Sequence, residues 1–147
     1  MSPEQIRDKY AERIVSLLDG IVAQIREDEP SLQVSEIDEL QSDDYRWTFN
    51  VCTAEQAEQS DEMQGVDVWF VICESEEYDG EENGVNFAIE IVGVGGEIVG
   101  GLTPYNYTDR CWVQRDDADA VEKRFRIIER ADPCEAVCLV ANFLKGE

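Results

Sequence analysis

The first thirty residues carry apolar side chains at a helical spacing. Ser2, Pro3 and Gln5 form a typical helix start, with Ser as N-cap, Pro in the first turn and Gln three residues after the cap. Pro30 disfavours helical backbone at the residue before it. The pattern predicts one long amphipathic helix that ends near Pro30. Its apolar stripe consists of Ile6, Tyr10, Ile14, Leu17, Leu18, Ile21, Val22 and Ile25.

The middle of the chain changes to the two-residue period of β-strands. In "YRWTFNV", residues 45–51, apolar and polar positions alternate. "VDVWFVIC" and "VNFAIEIVGV" are rich in β-branched and aromatic residues, and "EIVGG" follows Gly95-Gly96, which predicts a two-residue hairpin turn. Residues 31–40 fit either a short strand or an irregular link. We predict an antiparallel meander of four or five strands, with four aromatic residues in its core: Trp47, Phe49, Phe70 and Phe87.

Helical periodicity returns after residue 113. One of Asp116, Asp117 and Asp119 is expected to cap a helix, and Asp132 begins a second capping pattern ahead of an apolar run that ends before Gly146. The chain therefore predicts an α+β fold: an N-terminal helix, an antiparallel four- to five-stranded meander and two C-terminal helices. We expect residues 1–147 to form a single acidic domain, since no repeat or long linker divides them.

The charge of the chain is concentrated in this predicted sheet. The sequence has 34 acidic and 12 basic residues, no His and a net charge of −22. Both helical ends are near neutral, whereas residues 27–46 carry eight acids and one base, and residues 47–109 carry fourteen acids and no Lys or Arg. Such a surface repels nucleic acids and anionic membranes and attracts basic partners.

The densest acidic stretch is "ESEEYDGEENG", residues 74–84, which we expect to include a hairpin loop. Alternate carboxylates on a strand lie about 6.6 Å apart, a spacing comparable with that of backbone phosphates. We therefore predict a non-enzymatic inhibitor that mimics DNA towards a basic nuclease or nucleic-acid-binding protein, as anti-restriction, anti-CRISPR and immunity proteins do. Nucleic acid itself and membranes are not expected partners, and a homodimer stays open. The predicted binding residues are Glu74, Glu76, Glu77, Asp79, Glu81 and Glu82, with Tyr78 as an aromatic anchor and Asp43 and Asp44 as a second patch.

Three other interpretations compete with mimicry. An acidic chaperone or adaptor would contact its partner through apolar sheet grooves. A salt-adapted domain would explain the acidity without any partner, although such adaptation should cover the helices as well. Asp79, Asn83, Gly84 and Glu90 resemble positions of the EF-hand calcium loop, but the flanks of this segment are typical of strands.

Catalytic and cofactor motifs point to no enzyme. The absence of His excludes His-dependent catalysis, and no phosphate-binding loop or nucleophile elbow occurs. The five cysteines lack a C-x-x-C pair, so we predict neither a metal nor a cofactor and interpret the cysteines as small buried residues. The first residues contain no apolar leader, and no run of about 18 apolar residues exists, so we expect a cytoplasmic protein.

Overall fold

The computed structural model describes residues 2–41, 45–59, 65–78, 81–93, 96–102 and 113–144. It confirms the predicted α+β order of a first helix, an antiparallel sheet and two closing helices. The elements are α1 (Pro3–Asp28), β1 (Leu32–Val34), β2 (Asp38–Gln41), β3 (Tyr45–Thr53), α2 (Ala54–Gln59), β4 (Val66–Tyr78), β5 (Glu81–Gly93), β6 (Ile98–Gly101), β7 (Val113–Gln114), α3 (Ala118–Glu129) and α4 (Pro133–Leu144).

The described sheet has seven strands. Its centre consists of β3, β4 and β5, and short strands pair with β3 on one side and with β5 on the other. The main order is β1-β3-β4-β5-β6, and β2 and β7 pair with β3 and β5 respectively. All pairs with an assigned register are antiparallel. The ambiguous residues 31–40 form β1 and most of β2, which pair with successive parts of the same edge of β3.

The core lies on one face of this sheet, beneath α1, α3 and α4. The register places alternate residues of β3, β4 and β5 side by side, and the core-facing set packs with the apolar stripes of the three helices. The predicted core aromatics are confirmed, since each is at most 1% exposed: Trp47, Phe49, Phe70 and Phe87. Burial of apolar side chains such as these is the main stabilising contribution of the fold.

The helix starts follow the local signals in the sequence. Ser2 Oγ accepts a hydrogen bond from the Gln5 amide, while Gln5 Oε1 accepts one from the Ser2 amide, so the predicted capping box is complete. Asp117 is the N-cap of α3, and Asp132 Oδ1 accepts from the Cys134 amide at the start of α4.

Two local predictions were wrong or incomplete. β5 ends at Gly93 and β6 begins at Ile98, so four residues connect them instead of two; Gly96 in this connection has φ +91°. Helix α2 was not predicted, although Thr53 and Gln56 form a reciprocal cap at its start. Its six residues are too few to show a helical period.

A charged clamp fastens α1 to α3. Arg13 donates to Glu122 at 2.7 Å and to Glu129 at 2.8 Å, and its Cζ lies 4.6 Å from the ring centroid of Phe125. Hydrogen bonds from Arg13 hold the pKa of both glutamates below the ordinary value. Tyr10 stacks on Phe125 at 4.5 Å, and burial, followed by the charge of Glu122, raises the pKa of Tyr10 to about 12.

Candidate functional site: an acidic ribbon and an open sheet face

The acidic stretch lies mainly on two paired strands. β4 and β5 run in one continuous register from Val66↔Gly93 to Tyr78↔Glu81. Only Asp79 and Gly80 separate the strands, and both lie outside the described residues. We expected residues 74–84 to include a hairpin loop, and the connection between the two strands is only these two residues long.

These strands extend beyond the rest of the described sheet. Pairing of β3 with β4 stops at Tyr45↔Ile72, and pairing of β7 with β5 stops at Gly84↔Gln114. Within the described ranges, residues 73–78 pair only with β5 and residues 81–83 pair only with β4. We call this two-stranded segment the acidic ribbon. Six residues beyond Ile72 correspond to roughly 20 Å of strand.

The register of the acidic ribbon brings carboxylate-bearing residues opposite one another. Glu77 pairs with Glu82 directly, and Tyr78 pairs with Glu81. Glu74 and Glu76 occupy alternate positions of the same strand, so they share one face. Like charges at opposite positions destabilise a hairpin. Local folding therefore does not favour this arrangement of acids.

The described residues that flank the second predicted patch lie at the same end of the sheet. Asp43 and Asp44 lie outside the described residues, in the connection between β2 and β3. The pair Gln41↔Tyr45 closes these two strands, and Tyr45 in turn pairs with Ile72, where the acidic ribbon begins. Both ends of this connection therefore lie beside the start of the acidic ribbon. The separation of Asp44 and Glu74 by 30 positions in the sequence gives no sign of this.

Three arginines of the helices form ion pairs with acids of the helices and of β2. Arg13 and Arg126 both bind Glu122, and Arg7 contacts Asp8 at 2.8 Å and Glu39 at 3.6 Å. These ion pairs neutralise acids of α1, α3 and β2.

The face of the sheet opposite the helices contains a cavity that sequence reasoning missed. Its volume is about 300 Å³. Asp38, Thr48 and Trp69 lie in one row across β2, β3 and β4. Arg46 lies over the Trp69 ring, with its Cζ 4.2 Å from the centroid. The cavity is lined by Ser35, Asp38, Arg46, Thr48, Phe49, Asn50, Asp67 and Trp69.

Hydrogen bonds orient one wall of this cavity. Asn50 Nδ2 donates to Asp67 Oδ1 at 3.1 Å, and the Asn50 amide donates to Ser35 Oγ at 2.8 Å. Arg46 is half-buried, and among the described residues its Nε and the Oγ1 of Thr48 are buried without a hydrogen-bond partner. A buried donor in that state is energetically unfavourable.

The cysteines differ from the expectation of small buried residues. Cys134 and Cys138 are exposed one turn apart on α4, while Cys52 and Cys73 are half-buried and Cys111 lies outside the described residues. Partial desolvation of the thiol and the neighbouring Asp132 carboxylate raise the pKa of Cys134, which disfavours its reactive thiolate. In the described part of the chain, no three His, Cys, Asp or Glu side chains form a group that could hold a metal ion.

The resemblance to a calcium loop is not supported by the backbone. Residues 81–90 belong to β5 and pair with β4, so Asn83, Gly84 and Glu90 lie on an extended strand. An EF-hand loop instead folds around the ion between two helices.

Comparisons identify no relative from which a function could be transferred. No protein-family model, curated protein or solved structure matches the chain. Among the described residues, no helix combines the length and apolar character needed to cross a bilayer.

Proposed function

We propose that this chain is a non-enzymatic inhibitor that occupies the nucleic-acid groove of a basic partner by presenting carboxylates in place of phosphates. The partner would be a nuclease, a restriction or CRISPR enzyme, or another nucleic-acid-binding protein. The observation that carries the proposal is the acidic ribbon, a two-stranded extension bearing five glutamates within a 63-residue stretch that contains no Lys or Arg.

Electrostatics supports the choice of partner. A nucleic-acid groove is lined with Lys and Arg, and much of its affinity comes from neutralising phosphates with release of counterions. Pairing of the two strands fixes the backbone from which the glutamate side chains project before binding, which reduces the conformational entropy lost on association. Tyr78, at the end of the acidic ribbon, is the predicted aromatic anchor, a residue type enriched among energetically dominant contacts.

The test compares two variants of equal charge. In the ribbon variant, Glu76, Glu77, Glu81 and Glu82 are replaced by Gln. In the control, four exposed acids of α1 are neutralised instead, by Glu4→Gln, Glu12→Gln, Asp19→Asn and Glu27→Gln. Immobilised wild-type protein would first retain basic nucleases from a host lysate at low salt, with elution by duplex DNA. DNA cleavage by the eluted nuclease is then measured with each purified variant.

We expect the ribbon variant to lose inhibition at least tenfold and the α1 control to inhibit like wild type. Equal loss in both variants would reduce the effect to bulk charge and contradict the proposal. Retained proteins that ignore duplex DNA would contradict it as well. A chaperone or adaptor would keep its partner in the ribbon variant and lose it after apolar substitutions.

A further inference from the structure

We infer that the cavity on the sheet face opposite the helices receives an arginine side chain of the partner. The occupant rests on the proposed function, which requires a basic partner, but the preference of the cavity for a guanidinium group can be tested without that partner. The acidic ribbon would supply general attraction, and the cavity would supply a specific contact.

The first argument is the charge of the cavity wall. Asp38 and Asp67 contribute two carboxylates, whereas Arg46 contributes the single cation. Asp38 is exposed, and Asp67 is fixed by Asn50 through one oxygen, so acceptor capacity remains on both. The surface around them repels anions. A cation with several N–H donors complements this set.

The second argument is that the cavity already holds a guanidinium group. Arg46 is the only base between residues 27 and 109, and it stacks on Trp69. Stacking on an aromatic face is typical of arginine and distinguishes it from lysine. The stack shows that Trp69 provides a surface of the right shape and electrostatic character for this group.

The third argument is that Arg46 is incompletely bonded in this position. Its Nε lacks a hydrogen-bond partner among the described residues, and no ion pair within 4.0 Å joins Arg46 to Asp38 or Asp67. Arg46 can therefore leave the stack without breaking a salt bridge to either described carboxylate. An incoming arginine that bonds the carboxylates would replace it, while Arg46 turns to solvent.

The test uses a small probe and the full chain. Nα-acetyl-L-arginine methylamide is titrated into ¹⁵N-labelled protein, with the lysine and citrulline analogues as controls for charge and for shape. We expect saturable amide shifts around the cavity, at Asn50, Asp67 and Trp69, with at least fivefold weaker binding of both controls. Asp67→Asn should weaken the arginine probe at least fivefold.

Substitution of Arg46 distinguishes a cationic ligand from an anionic one, because it should change the affinity for the probe in opposite directions. Arg46→Gln removes the competing cation and keeps an aliphatic stem, so it should tighten binding of the arginine probe at least threefold. If this substitution weakens binding, Arg46 contacts the ligand directly, the cavity takes an anion or a zwitterion, and the inference fails. A second substitution, Arg46→Met, guards against local unfolding and should act in the same direction.

Failure of this inference and failure of the proposed function are distinguishable. Absence of localised shifts, or equal binding of all three probes, overturns the cavity assignment and leaves the ribbon experiment untouched. Normal probe binding together with unchanged nuclease inhibition in the ribbon variant would overturn mimicry and keep the guanidinium site.

Discussion

At the scale of single residues, Gly65 is the described glycine with the least room for a side chain. It precedes β4 with φ +89°, and a Cβ added there would lie 2.1 Å from the carbonyl oxygen of Val51. Gly96 has a similar φ of +91°, but a Cβ there would meet no atom within 4 Å. A comparison of alanine substitutions at the two glycines therefore distinguishes the cost of positive φ from the cost of steric overlap.

We predict that Gly65→Ala lowers the free energy of unfolding by at least about 3 kcal/mol, because overlap with the backbone adds to the strain of positive φ. Gly96→Ala should cost only about 1–2 kcal/mol, the strain alone. Urea unfolding followed by circular dichroism measures both. Equal losses would mean that β3 and β4 separate easily at this point.

Replacement of Arg13 should weaken the contact between α1 and α3. Arg13→Met keeps the packing of the side chain and removes the clamp, so we expect a loss of about 1–2 kcal/mol at pH 7, reduced by the partial exposure of the ion pairs. Arg26→Met, at an exposed position of the same helix, is the matched control and should have a smaller effect.

The stability difference between wild type and Arg13→Met should also depend on pH. The folded pKa of Glu122 and Glu129 lies below the ordinary 4.5, so their contribution is complete above pH 4.5 and disappears as the pH falls through the lower folded values. Urea unfolding at pH 7 and at pH 3 should show the difference shrinking. A difference that stays constant would assign the effect to packing.

At the scale of elements, we predict that the glutamates of the acidic ribbon lower the stability of the hairpin but increase its affinity for a basic partner. Glu82→Lys places a cation opposite Glu77, which should stabilise the hairpin by about 0.5–1 kcal/mol. Glu81→Lys changes the net charge equally but faces Tyr78, so its gain should be smaller. Hydrogen exchange of the ribbon amides measures the local stability, and both variants should inhibit the nuclease less. Slower exchange combined with unimpaired inhibition would contradict a binding role.

Helices and core strands could be predicted because their signals are local. The cap at Ser2, the stripe from Ile6 and the alternation from Tyr45 each reflect burial or a terminal hydrogen bond. The full length of β4 and β5 could not be predicted in the same way. Residues 74–78 and 81–83 lack the apolar alternation by which strands are recognised, and only the paired register reveals them as strand.

The cavity was beyond sequence reasoning for a different reason. Asp38, Thr48 and Trp69 come from three strands, and their common row exists only once the register of both pairings is known. A one-residue slip in either pairing would send one of them to the core face. No spacing along the chain encodes this alignment.

At the scale of the whole molecule, the net charge of −22 should influence stability only moderately. If the acids serve binding, we predict cooperative folding at 20 mM KCl and a rise in Tm of only a few degrees in 1 M KCl, as salt screens repulsion between carboxylates. Thermal melts at both salt concentrations test this. Unfolding at low salt with recovery in molar KCl would instead identify salt adaptation.

Within the described parts of the chain, no third strand pairs with either edge of the acidic ribbon. Open strand edges are templates for joining to further chains, and charged side chains are a common protection against this. The same glutamates would then keep separate copies of the protein from assembling edge to edge into fibres. Neutral ribbon variants should be handled at low concentration, since removal of the charge leaves strand edges that can pair with other copies.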